Sequence, residues 1–239
     1  MNMSGLISQN IAEIEKRIIA ACQKSGRARS EVTLIAVSKT FPLNLIREAI
    51  ESDLLVFGEN YIPEGSQKAQ TIKLETPQAK FHFIGHLQRN KVKSVVSDFE
   101  LIQTVDRIEL AQEIDKQAAK IGKVMPVLLQ VNISEEESKF GCQRESLAPL
   151  AESVCKLANL SLQGIMSIGS ALTLDMKEER SISIVTEEFK EMGILKSSLE
   201  SKLGFILPEL SMGMSGDFEL AINHGATIVR IGTSIFGRR

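Results

Sequence analysis

Leu34-Ile-Ala-Val-Ser-Lys39-Thr40, with Val32 and Thr33 ahead of it, is the stretch on which the fold turns. From Val32 to Val37 every residue but Thr33 is apolar, without strict alternation, which marks a strand apolar on both faces, as in a parallel sheet covered on both sides. The run ends in Lys39. An ammonium at the mouth of an apolar strand is poorly hydrated, and its pKa falls. A lysine partly neutral near pH 7 is a nucleophile whose natural target is an aldehyde, giving a Schiff base. The same lysine also fits a strand that simply exits into solvent, so neighbouring sequence has to decide.

Upstream, Ile7, Ile11, Ile14 and Ile18 recur at helical spacing, with Ser4 as a candidate cap and Gly26 as a stop. Downstream, strands are predicted over 54–58, 80–85, 99–104, 124–131, 160–167, 209–212 and 226–231. Helices are predicted between them over 43–52, 63–75, 87–96, 106–121, 144–158, 175–201 and 218–224. Eight strands alternating with helices in 239 residues, behind one extra N-terminal helix, predict an α/β fold, a single (β/α)8 TIM-type barrel over residues 1–239. An open doubly wound sheet is the alternative.

Composition narrows the function. A net charge of -2, no Trp and one Tyr leave neither a basic field nor stacking platforms for nucleic acid, and no field for an anionic membrane. Cys22, Cys142 and Cys155 are odd in number and unpaired in spacing, against a disulfide framework or a zinc site. No signal-type run and no apolar stretch of roughly 20 residues is present. A cytoplasmic protein in a reducing compartment is expected.

In a barrel the site lies at the C-terminal strand ends. Those ends carry Lys39, Asn60, His86, Asn132, Met166, Ser211, and Arg230 with Gly232 and Thr233. Phosphate sites often follow the last two strands, where glycines free backbone N–H groups and hydroxyls add donors. Ser211-Met-Gly-Met-Ser-Gly-Asp217 and Gly232-Thr-Ser fall there. Arg230, inside a buried strand, needs a partner, either a structural carboxylate or a ligand atom. Asp217 is expected to cap the following helix. His82 reads as structural and His224 as a helix-end residue. Arg89, Lys91 and Lys93, like Glu135 to Glu137, read as solvated. Ser215 lies in no nucleophile elbow, and no histidine pair has metal-ligand spacing.

Taken together these motifs resemble the pyridoxal phosphate homeostasis protein family over nearly the whole chain. The carriers are Ala36-Val-Ser-Lys39-Thr, Phe57-Gly-Glu-Asn60-Tyr, His82-Phe-Ile-Gly-His86-Leu-Gln, Val131-Asn-Ile-Ser, Gly164-Ile-Met166, Leu210-Ser211-Met-Gly-Met-Ser-Gly-Asp217 and Val229-Arg230-Ile-Gly-Thr233-Ser-Ile-Phe-Gly237. The resemblance implies an alanine racemase-like barrel that holds pyridoxal 5′-phosphate as an aldimine on Lys39. Arg230 would face the pyridine nitrogen. Ser211, Gly232 and Thr233 would contact the phosphate, and Asn60, His86 and Met166 would line the ring pocket.

It further implies a monomeric, non-catalytic carrier or regulator in cofactor homeostasis, with no metal, whose partners are apo-forms of pyridoxal phosphate enzymes. An amino-acid racemase is the alternative, and a phosphosugar barrel enzyme a weaker one. Racemase sites of this type use a lysine on one face and a tyrosine from a second domain on the other. This chain is expected to end with the barrel, and its one tyrosine is Tyr61. Phe41, Pro63 and the glutamates after Ser134 depart from the family pattern.

Overall fold

In the computed structural model, which describes residues 5–136, 138–170 and 179–237, the first strand has parallel neighbours on both edges. Strand β1 (Thr33–Val37) pairs with β2 (Val56–Glu59) and with β8 (Ile228–Ile231). Joining last strand to first closes the sheet into a barrel in the order β1 to β8, which excludes the open doubly wound sheet. Between them run β3 (Lys80–Phe83), β4 (Leu101–Val105), β5 (Met125–Val131), β6 (Leu160–Ser167) and β7 (Glu209–Ser211).

A helix follows each strand: α2 (Leu43–Glu51), α3 (Glu64–Glu75), α4 (Val92–Asp98), α5 (Ile108–Lys120), α6 (Arg144–Val154), α7 (Glu179–Leu203), α8 (Phe218–Asn223) and α9 (Thr233–Phe236). The extra helix α1 (Leu6–Lys24) buries Ile7, Ile11, Ile14 and Ile18 and packs on α8, α9 and α2.

Alternation along the strands sorts the core into two parts. Outward residues such as Leu34, Ala36, Val229 and Ile231 pack against the helices. Inward residues Ile35, Leu101, Leu128, Met166 and Ile228 form a small separate core inside the barrel.

Three elements differ from the sequence reading. The basic helix over 87–96 is a short 3-10 turn, Arg89–Lys91, followed by α4. Leu87 is buried and Gln88 extended, so the chain dives inward before it turns. Helix α9 is unforeseen, because four residues are too few to display a period.

Strand β3 also stops short, at Phe83. Gly85 runs so close to β2 that a Cβ there would lie 2.2 Å from the Asn60 carbonyl oxygen, a space only glycine leaves open. Ser4, Glu137 and residues 175–178 lie outside the described residues. No described helix is long and apolar enough to cross a membrane.

Candidate functional site

The register of β1 with β8, Ile35 beside Arg230 and Ala36 beside Ile231, brings Gly232 and Thr233 level with Val37 and Ser38, just before Lys39. A cavity of about 450 Å³ opens there, at the C-terminal mouth. It gathers Lys39, Arg230, Gly232 and Thr233 of the predicted site residues, together with Met214, Ser215 and Gly216 of the loop after β7.

The backbone around Lys39 is fixed from behind. Ser38 is fully buried and its hydroxyl donates to Glu59 Oε1 at 2.7 Å. The ammonium of Lys68, on α3, donates to the Ser38 carbonyl at 2.8 Å, to Glu59 Oε1 at 3.1 Å and to Glu64 Oε1 at 2.5 Å. Glu64 Oε1 in turn accepts the Thr40 amide at 2.6 Å. Both peptide groups flanking Lys39 are therefore pinned, and Thr40 is held at φ 66°. Burial pushes the Glu59 carboxyl pKa up, against the pull of the Ser38 hydroxyl and Lys68. None of these four residues stands out in sequence. The usable signal is the Glu59–Lys68 pair of charges on a strand end and the next helix, both buried.

Arg230 is 5% exposed. Its partners are neutral: NH1 donates to Ser211 Oγ at 2.6 Å and NH2 to the Ser167 carbonyl at 2.7 Å. Burial pulls its pKa down to about 10, against the charge of Asp217, so it remains a cation near neutral pH.

Ser211, read from the sequence as a phosphate contact, sits beneath Arg230. It is fully buried, and its hydroxyl donates onward to Gln103 Oε1 at 2.7 Å. The hydroxyls that do line the cavity are those of Ser215 and Thr233, whose oxygens are 3.3 Å apart.

Asp217 stands at the start of α8 but makes no side-chain cap bond. It accepts the Met214 amide at 2.5 Å and so ties the loop instead. Within that loop Gly213 has φ 90°, and a Cβ there would lie 2.6 Å from the Ala221 Cβ. Only glycine lets the chain turn beneath α8.

The remaining predicted residues lie elsewhere. Asn60 and His86 line a smaller hollow of about 150 Å³, which also includes Tyr61. His86 stacks on Phe140 with ring centroids 3.8 Å apart, a contact that sequence spacing could not reveal. Met166 is fully buried in the interior core, next to Ser211 in register. Asn132 donates to the Glu136 carbonyl at 2.9 Å and holds the following loop, in which Glu135 and Glu136 pair with Arg144 and Lys139.

The alanine racemase N-terminal domain family matches residues 10–239. A pyridoxal phosphate homeostasis protein of Vibrio cholerae is 43% identical over 235 residues, covering 98% of this chain and 96% of that one. The chain belongs to the pyridoxal phosphate homeostasis family. A second family member, from Aquifex aeolicus, is 40% identical and covers 97% of each chain.

Among solved structures, PipY of Synechococcus elongatus with PLP bound aligns at TM-score 0.81 and 31% identity, over 97% of this chain and 100% of that one. Alanine racemase of Clostridium difficile aligns at TM-score 0.71 but 13% identity, and the match spans 57% of that chain, so it shares the barrel alone. In this homeostasis family member the departure at Phe41 is a packing feature. Its ring is buried 5.0 Å from that of Phe236.

Proposed function

We propose that this protein binds pyridoxal 5′-phosphate at the C-terminal mouth of its one barrel domain and serves intracellular homeostasis of that cofactor as a carrier, not as an enzyme. The observation that carries this reading is the donor set around one cavity. A primary amine on a pinned backbone faces two hydroxyls, a glycine-bearing loop and a buried guanidinium. When bound, pyridoxal phosphate supplies an aldehyde that condenses with a primary amine and releases water. Lys39 is that amine, and the attachment is covalent.

Ser215, Gly216, Gly232 and Thr233 hold the phosphate through hydroxyls and backbone amides of the two glycine-bearing loops. Ser211 acts one layer down, by fixing the aim of Arg230. Arg230 is the donor to the ring nitrogen, and its charge disfavours protonation there. Met166 supports this layer from the barrel interior, while Asn60 and His86 act at its edge. The protein works in the cytoplasm as a monomer and passes the cofactor to apo-forms of pyridoxal phosphate enzymes.

The test is transfer. Cofactor-loaded protein is mixed with an apo-enzyme in the presence of a scavenger for free cofactor. Reactivation that outpaces the scavenger is the expected result; reactivation no faster than from free cofactor refutes the carrier role.

A further inference from the structure

The barrel has a second mouth, at the N-terminal ends of its strands, with a cavity of about 640 Å³. A buried line of side chains connects it to Arg230. Arg230 NH1 donates to Ser211 Oγ at 2.6 Å, Ser211 Oγ to Gln103 Oε1 at 2.7 Å, and Gln103 Nε2 lies 3.1 Å from His82 Nδ1. A guanidinium can only donate, and that fixes the direction of every bond below it. The Ser211 proton must point to the Gln103 carbonyl, and the Gln103 amide N–H to His82 Nδ1. The imidazole proton is then on Nε2. Among the described residues Nε2 has no hydrogen-bond partner, although His82 is only 8% exposed and lines the cavity.

The charges of this mouth are mostly committed. Glu100 accepts from Lys73 and from the Phe81 amide, and Glu209 from the Thr227 hydroxyl. Lys123 donates to the carbonyls of Val96 and Phe99. Lys80 is exposed and has no hydrogen-bond or ion-pair partner among the described residues. A cation and an N–H donor therefore remain for a ligand, beside an apolar wall of Leu101, Val124 and Pro126. Donors with no committed acceptor select an anionic acceptor, and the wall selects an apolar body.

We propose that this mouth binds a small monocarboxylate with an apolar body, its carboxylate accepting from His82 Nε2–H and Lys80, and that occupancy is transmitted to Arg230 through Gln103 and Ser211. The transmission rests on the cofactor reading above; the binding does not.

The probe is isovalerate, added to full-length cofactor-free protein carrying isotope-labelled histidine, with isoamyl alcohol and inorganic phosphate as controls. His82 is assigned among the three histidines by the resonance lost in His82→Gln. Isovalerate should move the His82 Nε2 resonance saturably, the alcohol should not, and Lys80→Met should weaken binding about tenfold, as expected for one charge-assisted contact. Saturating isovalerate should then change the affinity for pyridoxal phosphate about fivefold. Gln103→Met should remove that change while the histidine response remains. No saturable movement with isovalerate, or movement with phosphate alone, overturns the site. Binding with unchanged cofactor affinity overturns the coupling. A protein that takes no cofactor refutes the proposed function and the coupling together, while the histidine response still judges the site.

Discussion

Lys68 Nζ lies 3.1 Å from Glu59 Oε1 behind the strand end that carries Lys39, with side-chain exposures of 8% and 0%. A buried ion pair adds little net stability, but removing one partner strands the other charge. Lys68→Met should therefore destabilise the protein by about 3–5 kcal/mol, seen as a lower denaturant midpoint. The double variant Glu59→Gln/Lys68→Met should recover most of that loss. It should still bind cofactor more weakly, because the Ser38 carbonyl has lost its anchor. Wild-type cofactor affinity in the double variant would mean that the pair does not position Lys39.

Among the described residues, Lys39 is the one primary amine on the cavity wall. Lys39→Ala should abolish the visible absorption band of loaded protein and the adduct fixed by borohydride. Mass mapping of the wild-type adduct should find it on Lys39. An adduct that persists in the variant on another lysine would reassign the attachment.

The barrel was legible because eight buried strands alternate with helices, and strand ends such as Lys39 and Arg230 follow from that alternation. Gly232 and Thr233 were legible for the same reason. The sequence reading grouped Ser211 with the phosphate contacts, whereas its hydroxyl accepts from Arg230 and donates to Gln103; a period of two tells which face a residue is on but not its depth relative to Arg230. Ser215 was visible in the sequence but carried no signal that separated it from Ser211. The brace of Glu59, Glu64 and Lys68 was hidden because it depends on how α3 sits over β1 and β2, which no local spacing reports. The stacking of Phe140 on His86 joins a loop to a distant strand end and is invisible for the same reason.

The depth of Ser211 has a measurable consequence. Charge-assisted hydrogen bonds to a dianion contribute roughly 1.5–3 kcal/mol each, so pyridoxal without its phosphate should bind at least about tenfold more weakly than pyridoxal phosphate. Ser215→Ala and Thr233→Val should shrink that ratio, because both hydroxyls line the cavity proposed to hold the phosphate. Ser211→Ala should weaken both ligands alike and leave the ratio intact, because it disturbs only Arg230. A collapse of the ratio in Ser211→Ala would return that residue to the phosphate site.

His82 makes stability depend on pH. Burial, with the charge of Lys80 adding to it, pushes its pKa from 6.5 to about 3. Between those values the unfolded chain binds the proton and the native chain does not, so stability rises with pH there and is lost as pH falls below 6.5. Each pH unit within the window is worth up to about 1.4 kcal/mol. Going from about pH 7 to about pH 5, wild type should lose about 2 kcal/mol more than His82→Gln in denaturant titrations. Equal losses would mean that His82 is protonated in the native barrel.

Racemisation demands removal of an α-proton from one face of a substrate and its return on the other. Among the described residues lining the cavity, the ionisable groups are Lys39 and Arg230. Arg230, with a pKa pulled down by burial only to about 10 and hydrogen-bonded to Ser211 and Ser167, is a poor proton shuttle near neutrality. Tyr61 is 51% exposed and lines the separate hollow with Asn60 and His86, not the cavity with Lys39. A missing acid–base partner removes roughly 10²–10⁴-fold from such a step. A guanidinium in the proposed place of Arg230, facing the ring nitrogen, would weaken the electron sink further. Cofactor-saturated protein should therefore racemise alanine and serine far below the usual enzyme range of about 1–10³ s⁻¹, and Tyr61→Phe should leave that residual rate unchanged. Turnover inside the range, falling when Tyr61 loses its hydroxyl, would show that this residue reaches the site in solution and would replace the carrier with an enzyme.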